Sequence, residues 1–508
     1  MPVTPGLLVA VLLAAAAATF ALRDRRARAT AVGFAGFAVA IAMAVGLDPL
    51  SSSTVVGLPL AASPYARLAV IAAGCSVAGV AVVAALLAGR APASDAGLPA
   101  GLFSGLLAGL AAVALALFAA VAAPGEEADL APVSLAGPAS SMIIIAAATA
   151  LLAPLAARSD AEYSAGAGWL RLAAAGGGLA AVGVLWPTVA TSGDATSGAP
   201  DTTGAIVGLL LVTAGLAVRG GAFPLQGPVV RLITTTRLPV VALSAAWLPA
   251  TMALAAIAWS AAALGPLAGL VPPDGRNAAA ALGVATLLIG GVVAALQTDP
   301  DRLLAWSLVG DAGLLVLAIA PEGPDLNDAA RTLLLVNAVT RTGLVAWVLV
   351  VSHASRTAPG PSSRGWVLRL PAVESVLLLV GLALMTAATY GLPGWPAAAA
   401  RLALVQGAVP EPFTSIGLVA AWLGLFAYVR LAVEGFRPTQ VPGVQDQEGG
   451  RDGAARRTTL AAATALLVSA LAFSLASGIV PVDVRAGDPF RSLPEVPAEP
   501  VPTSAPAP

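Results

Sequence analysis

Apolar residues fill this chain in long blocks, separated by short polar or Gly/Pro-containing turns. A helix needs about 20 predominantly apolar residues to cross a ~30 Å hydrocarbon core. Fourteen segments meet that description: 6–22, 31–47, 68–88, 101–123, 135–157, 170–190, 204–223, 238–264, 278–296, 303–320, 332–351, 372–390, 415–436 and 458–479. A further apolar piece, 395–408, follows Gly391, Pro393 and Pro396 and reads as the second half of a broken helix. A second break is expected at Gly220–Pro224. Proline removes a backbone donor and clashes with the preceding turn. Broken helices stand at membrane depth only where they are buried in protein or line a cavity. The expected fold class is an all-α polytopic membrane protein of about fourteen transmembrane helices.

Within this pattern the stretch 290–320 is distinctive. Two apolar runs flank a polar elbow, Gln297 to Arg302, and the second run contains an acid, Asp311. Arg341 falls near the middle of segment 332–351. A mid-membrane arginine costs ~3 kcal/mol on insertion scales, so it needs a partner or water; Asp311 and Glu374 are the nearest candidates by position. Arg219, Arg302 and Glu374 stand near segment ends, where two placements are open: burial, or extension of the side chain into the headgroups. Arg401 follows the second break, as a structural charge or a pathway member. His353 and Trp306 are expected at membrane interfaces.

Composition narrows the function classes. Of 508 residues, 58% are hydrophobic and 10% charged, against roughly 25% charged in soluble domains; mean hydropathy is +0.89. The net charge of -1 leaves no footprint for nucleic acid. A single cysteine, Cys75, and a single histidine, His353, exclude intrachain disulfides and CxxC zinc, iron–sulfur or haem motifs. No metal site, no cofactor and no catalytic centre is therefore expected. The arginines after segment 6–22 mark it as a first membrane helix rather than a signal peptide. Every basic residue is arginine.

Four ordered stretches carry a resemblance to the antiporter-like membrane subunits of respiratory complex I, subunit N in particular, and to their relatives in Mrp antiporters and membrane-bound hydrogenases. Arg219-Gly-Gly-Ala-Phe-Pro224-Leu-Gln226 resembles the family's Lys-x-Gly-Ala-x-Pro-Phe-His turn. Gly290 to Gly313 is similar to its Gly-Gly-x-x-Ala-Leu-x-Gln…Lys-Arg-Leu-Leu-Ala-Tyr-Ser stretch. Asn337-Ala-Val-Thr-Arg341 resembles His-Ala-x-x-Lys, and Gly391-Leu-Pro393 through Arg401 resembles Gly-Leu-Pro-Pro-x-x-Gly-Phe-x-x-Lys. A weaker echo spans Gly166 to Gly178.

The resemblance implies two inverted five-helix repeats and a proton path along the membrane midplane, built from buried lysines and a glutamate. It implies the divisions 1–123 (helices 1–4), 124–264 (rest of the first repeat), 265–436 (second repeat), 437–480 (cytoplasmic loop and helix 14) and 481–508 (a disordered Pro-rich tail). The departures matter as much. No acid lies at 145–150, where the family's helix-five glutamate should fall, and Ala250 stands at or near the helix-eight lysine. Gln226 and Asn337 replace histidines; Arg219, Arg341 and Arg401 replace lysines. A buried lysine can release its proton near working pH, whereas arginine cannot be deprotonated in a protein. The pathway candidates are thus Arg219, Gln226, Asp311, Asn337, Arg341, Glu374 and Arg401, in a relay expected to be weakened. Implied partners are the lipid bilayer and other membrane subunits of a complex I-like assembly, a non-redox role in an NADH-quinone oxidoreductase-like translocase. Two other classes stay open: a carrier or channel module with a different partner, such as one for inorganic-carbon uptake, and a structural scaffold.

Arginine asymmetry in short loops sets an orientation. It puts the loop after the first helix, Arg158, Arg356, Arg364, Arg369, Arg451, Arg456 and Arg457 in the cytoplasm, and Glu126, Glu127 and Asp129 outside, with both termini on the outer side of the cell membrane. In a Cys75→Ser background, a cysteine at Gly450 should be protected from an impermeant thiol reagent and one at Ser504 labelled. The reverse pattern refutes the topology.

Overall fold

A computed structural model of the chain describes residues 3–48, 51–55, 58–88, 98–121, 143, 149–155, 157, 159–191, 202–235, 243–264, 273–319, 324–355, 365–369, 372–391, 396–411 and 413–437. Among the described residues the main elements are α1 (Pro5–Ala21), α2 (Arg26–Val45), β1 (Ser52–Val55), β2 (Leu58–Ala61), α3 (Pro64–Ala88) and α4 (Leu98–Val121). There follow a short α5 (Leu152–Leu155), α6 (Asp160–Thr191), α7 (Thr202–Gly220), α8 (Gly227–Thr235) and α9 (Leu248–Leu264). The remainder is α10 (Pro273–Leu296), α11 (Pro300–Leu317), α12 (Pro324–Ser355), α13 (Trp366–Arg369), α14 (Ala372–Tyr390), α15 (Pro396–Ala408) and α16 (Thr414–Gly435). Among the described residues, eight helices are long and apolar enough to cross a membrane, and three shorter apolar ones accompany them. Most of expected segment 135–157 and all of 458–479 lie outside the described residues, as does the Pro-rich tail.

One feature departs from the all-helical expectation. Between α2 and α3, β1 and β2 pair antiparallel, Ser52 opposite Ala61. Ser, Thr and Val in this stretch suit a pleated backbone better than a helix. The hairpin is docked: Ser53 Oγ accepts from the Gly6 backbone N–H at 2.9 Å, and Leu60 is buried. It covers one end of α1.

Helix starts follow local chemistry. Thr4 caps α1, accepting from the Leu7 N–H, with Pro5 in the first turn. Asp299 caps α11 in the same way, with Pro300 following it. Such caps satisfy N–H groups that have no partner within the helix.

Two helix pairs approach closely through small residues. On α6 and α7, a Cβ added at Gly215 would lie 2.5 Å from the Ala180 nitrogen and 2.6 Å from the Gly176 oxygen. On α10 and α11, a Cβ at Gly290 would lie 2.4 Å from the Gly310 nitrogen. In lipid there is no hydrophobic drive between helices, so backbone-to-backbone packing of this kind supplies much of the association. At the centre stands α12. Its 32 residues span about 48 Å at ~1.5 Å per residue, and it is the most enclosed of the spans. It packs against α3, α9, α11, α14 and α15.

Helix α7 ends at Gly220 and helix α14 at Tyr390, beside the two stretches where breaks are expected. The chain leaves α7 through Gly221, at φ 70°, turns through Gln226 and resumes as α8. The Ala222 N–H returns to Ala217 O at 2.8 Å and the Gly221 N–H to Val218 O at 3.1 Å; this double bond pattern ends a helix in a left-handed residue. Pro224 lies exposed in the turn. The chain leaves α14 through Gly391, at φ 73°, whose N–H reaches Ala387 O at 2.8 Å, and resumes as α15 at Pro396. Pro393 lies outside the described residues. A third irregularity precedes α9: residues Leu243–Trp247 form a π-helical turn just before Pro249, which has no N–H to continue the ladder.

The α6–α7 contact generates a prediction. Gly215→Ala should lower the thermal stability of the detergent-extracted protein, by about 1–3 kcal/mol for forced overpacking. Gly227→Ala, where an added Cβ meets nothing within 4 Å, is the control and should leave it unchanged.

Candidate functional site

The helix breaks and small-residue contacts bring polar side chains into the interior. Arg219 near the end of α7, Arg341 in mid-α12 and Arg401 on α15 are 0%, 1% and 1% exposed. Arg219 therefore does not extend to a headgroup region, and neither does Glu374, at 3% exposure. Arg302 does remain exposed, at the start of α11, with its Nε 3.8 Å from Asp299.

Arg341 is the best-held of the three. Its Nε and Nη2 both donate to the Asp311 carboxylate, at 2.5 and 2.9 Å. This two-pronged arrangement is the strong, geometrically specific form of a guanidinium–carboxylate pair. Two further bonds go to tyrosines: Nη1 donates to Tyr428 at 2.8 Å and Nη2 also to Tyr390 at 3.3 Å. Both rings lie 5.6 Å from the guanidinium carbon. Tyr428 in turn is 2.7 Å from Ser307 Oγ, which lies 3.1 Å from Leu304 O. Since Tyr428 accepts from Arg341, its own proton is free to go to Ser307, and that of Ser307 to the backbone. Every bond in this chain points outward from the cation. Ser307 and Asp311 share one face of α11, four residues apart, as Asn337 and Arg341 do on α12. The acid beside Arg341 is thus Asp311, one of the two candidates; Glu374 is not bonded to it.

Arg401 has no carboxylate partner among the described residues. Nη1 donates to Ala421 O and Nη2 to Thr389 O, both at 2.9 Å, with Asn337 Oδ1 at 3.5 Å from Nη2. Thr389 is in the last turn of α14, and its carbonyl is one that the break leaves without a helical donor. The helix's negative end adds to the attraction. Tyr390 stands between the two cations, 5.0 Å from Arg401's guanidinium carbon. Its hydroxyl occupies the space of a missing side chain: a Cβ on Gly424 would meet it at 2.0 Å.

A cavity of about 30 Å³ lies between Pro249 and Ala250 on one side and Asp311, Asn337 and Arg341 on the other. About 10–15 Å³ by this measure accommodates a water molecule. It includes Ala250, at or near the position of the implied helix-eight lysine. Gln226, half-buried at the end of the first break, has no hydrogen bond to any of the three arginines. Among the described residues no three His, Cys, Asp or Glu side chains gather as metal ligands. The sequence reading did not single out Tyr390, Tyr428 or Trp169. A signal existed for the tyrosines: the chain has four, and these two stand inside apolar helices.

The helices, breaks and central charges define a multi-pass membrane protein whose interior polar axis is built on arginine. The chain belongs to the NADH:quinone oxidoreductase/Mrp antiporter transmembrane family, whose profile matches residues 144–409. Among curated proteins, it is 32% identical over 155 residues to NADH-quinone oxidoreductase subunit N of Halorhodospira halophila, covering 30% of this chain and 31% of that protein. It is 30% identical over 283 residues to NADH-quinone oxidoreductase subunit N 1 of Streptomyces griseus, covering 54% and 56%. The matches thus span 31% and 56% of those relatives' lengths. Among solved structures, the fold is similar to a chain of the archaeal membrane-bound sulfane sulfur reductase, with TM-score 0.65, 18% identity and coverage of 92% and 94%. It is also similar to a chain of the Mrp complex from Dietzia sp., with TM-score 0.63, 15% identity and coverage of 95% and 98%. A chain of respiratory complex I from Thermus thermophilus gives TM-score 0.58, 18% identity and coverage of 92% and 98%.

Removing one member of a buried ion pair leaves the other uncompensated and typically costs ~3–5 kcal/mol. Arg341→Ala should therefore sharply reduce folded protein in the membrane, measured by detergent-extracted monodisperse yield. Arg341→Ala combined with Asp311→Ala should recover much of that loss. A double variant no better than the single one contradicts the pairing.

Proposed function

We propose that this chain is a membrane-arm subunit of the subunit N type, part of a multi-subunit ion-translocating assembly, with a proton relay of its own that is weakened or lost. The observation that carries this reading is the chemistry of Arg341. A relay group must load and unload its proton, and arginine does not. Here its guanidinium is held by a carboxylate and two phenols whose bonds all run outward from it. Arg219 and Arg401 carry the same permanent charge. Such an axis holds charge in place and sets a field on neighbouring groups. The chain brings no redox centre to this role; its partners are the lipid bilayer and other membrane subunits. The family membership and the names of the relatives support this class.

The reading includes an architecture of about fourteen helices in two inverted repeats, within 124–264 and 265–436, preceded by four helices and followed by a cytoplasmic loop, a fourteenth helix and a Pro-rich tail. The matching breaks after Gly220 and Tyr390, each ended by a glycine with positive φ, support the repeat. The arginine asymmetry of the loops supports outer termini.

Two measurements test the function. Extraction from native membrane in mild detergent should co-purify further membrane subunits of one complex. Co-purification with a soluble partner alone supports a carrier module instead, and isolation as a lone chain supports a scaffold. Reconstituted into liposomes, the wild type should conduct no protons above the lipid background, and Arg341→Lys alone should not create flux, since no acid stands at 145–150. Robust proton flux through the wild type refutes the weakened relay.

A further inference from the structure

Arg219, Arg341 and Arg401 are enclosed by the bundle and have to be answered within it. Arg171, on α6, faces out of it: the residue is exposed, and among the described residues its side chain has no hydrogen bond or ion pair. It nevertheless lies inside an apolar span, Asp160–Trp186. Two residues earlier Trp169 is buried, its ring centroid 4.4 Å from the Arg219 guanidinium carbon. A helix turns about 200° over two residues, so Arg171 points to the opposite side. The acids at the start of α6, Asp160 and Glu162, stand about 16 and 14 Å back along the axis, too far to pair with it. Arg302 and Arg437, also exposed, have acids beside them, Asp299 and Glu434. Arg171 keeps its charge at any working pH, and its counter-charge has to come from outside the chain.

Exposed aromatic rings set the depth. Tyr163 is 60% and Trp186 42% exposed. Their separation along α6 is about 34 Å, which matches a ~30 Å hydrocarbon core with one ring in each interface. On this scale Arg171 lies about 12 Å from Tyr163, in the half of the span nearer Asp160. Side chains on a helix lean toward its N-terminus, so the arginine stem runs toward that boundary, where its head meets the headgroups. On the same face, two turns nearer the boundary, stands Ser164, also exposed. Between them Gly168 leaves the way open, since a Cβ added there meets nothing within 4 Å. In the other direction the face is apolar and shallow: Ala175, Gly178 and Val182 are exposed. A cation and a hydroxyl at one boundary, continued into the core by an apolar strip, match the two parts of a phospholipid.

We propose that this face of α6 is a binding site for one phospholipid of net negative charge. Its phosphate sits on the Arg171 guanidinium, with the Ser164 hydroxyl toward the boundary and an acyl chain along the strip that ends at Val182. A planar guanidinium takes two phosphate oxygens at once. A zwitterionic lipid brings a cation of its own to the site and is held less well. A carboxylate from a neighbouring subunit would answer the charge alone; a lipid also accounts for the gap at Gly168 and the strip beyond it.

The site concerns lipid binding to this chain and stands or falls apart from the assembly reading. Full-length protein, depleted of lipid in mild detergent, is titrated with phosphatidylglycerol or with phosphatidylcholine, and thermal unfolding is followed. A ligand that binds only the folded state raises Tm with concentration. The wild type should show a saturable rise, at lower concentration for phosphatidylglycerol than for phosphatidylcholine. Arg171→Gln should raise the half-saturating phosphatidylglycerol concentration about tenfold, equivalent to ~1.4 kcal/mol. Arg171→Lys, which keeps the charge, should recover most of that loss, and Arg302→Gln should behave as the wild type. No saturable rise in the wild type, equal half-saturation in Arg171→Gln, an equal response to both lipids, an equal loss in Arg302→Gln, or the same rise from inorganic phosphate overturns the proposal. So does an Arg171→Gln protein that keeps its lipid response but loses a co-purifying membrane subunit, which assigns the face to protein docking.

Discussion

A charge that cannot be removed must be answered where it stands, and in lipid the answer has to come from the protein. That constraint organises this molecule. Among the described residues, the guanidinium groups of Arg219, Arg341 and Arg401 lie in its interior at 0%, 1% and 1% exposure. Lysine in such a place could shed its proton and become neutral; arginine stays charged. Each guanidinium nitrogen of Arg341 accordingly has an acceptor: the Asp311 carboxylate on Nε and Nη2, phenol oxygens on Nη1 and Nη2, and a serine and backbone carbonyl behind one of the phenols. Helix α12 can be as enclosed as it is because its central charge is matched within the bundle.

The helix breaks are part of the same solution. Ending α14 at Tyr390 leaves carbonyls without helical donors, and Arg401 takes one of them. Glycine at positive φ lets the chain leave the helix without a Cβ penalty, and in each break it allows the returning segment to sit close: Val229 over Gly221 and Ala398 over Gly391. Gly424 makes room for the Tyr390 hydroxyl. Small residues here are what let large polar groups be buried.

Much of this was legible in the sequence. Block length marked the apolar helices that are described, and the glycines at 220–221 and 391 marked where α7 and α14 end, because both depend on local backbone chemistry. The Arg341–Asp311 pair was one of two possibilities, since position along helices ranks partners but does not orient them; Glu374 is buried too, but the carboxylate that Arg341 holds is that of Asp311. The hairpin at 52–61 was missed because a short polar connection in a membrane protein carries little pattern. Tyr390 and Tyr428 were missed because a tyrosine in an apolar helix reads as bulk until a cation is found beside it. Burial of Arg219 could not be separated from extension to the headgroups, because a charge near a helix end satisfies both descriptions equally.

The grip of Arg401 has a mechanical consequence. The residue belongs to α15, but its two terminal nitrogens hold carbonyls on α14 and α16. A guanidinium is a rigid plane, and two bonds from it fix both the distance and the angle between the groups it joins. The discontinuity at Gly391 is therefore clamped across three helices rather than left as a joint. An ammonium on a flexible stem would tether the same helices while letting them pivot. With arginine here, displacement of one of these three helices is passed to the other two as movement of a solid body.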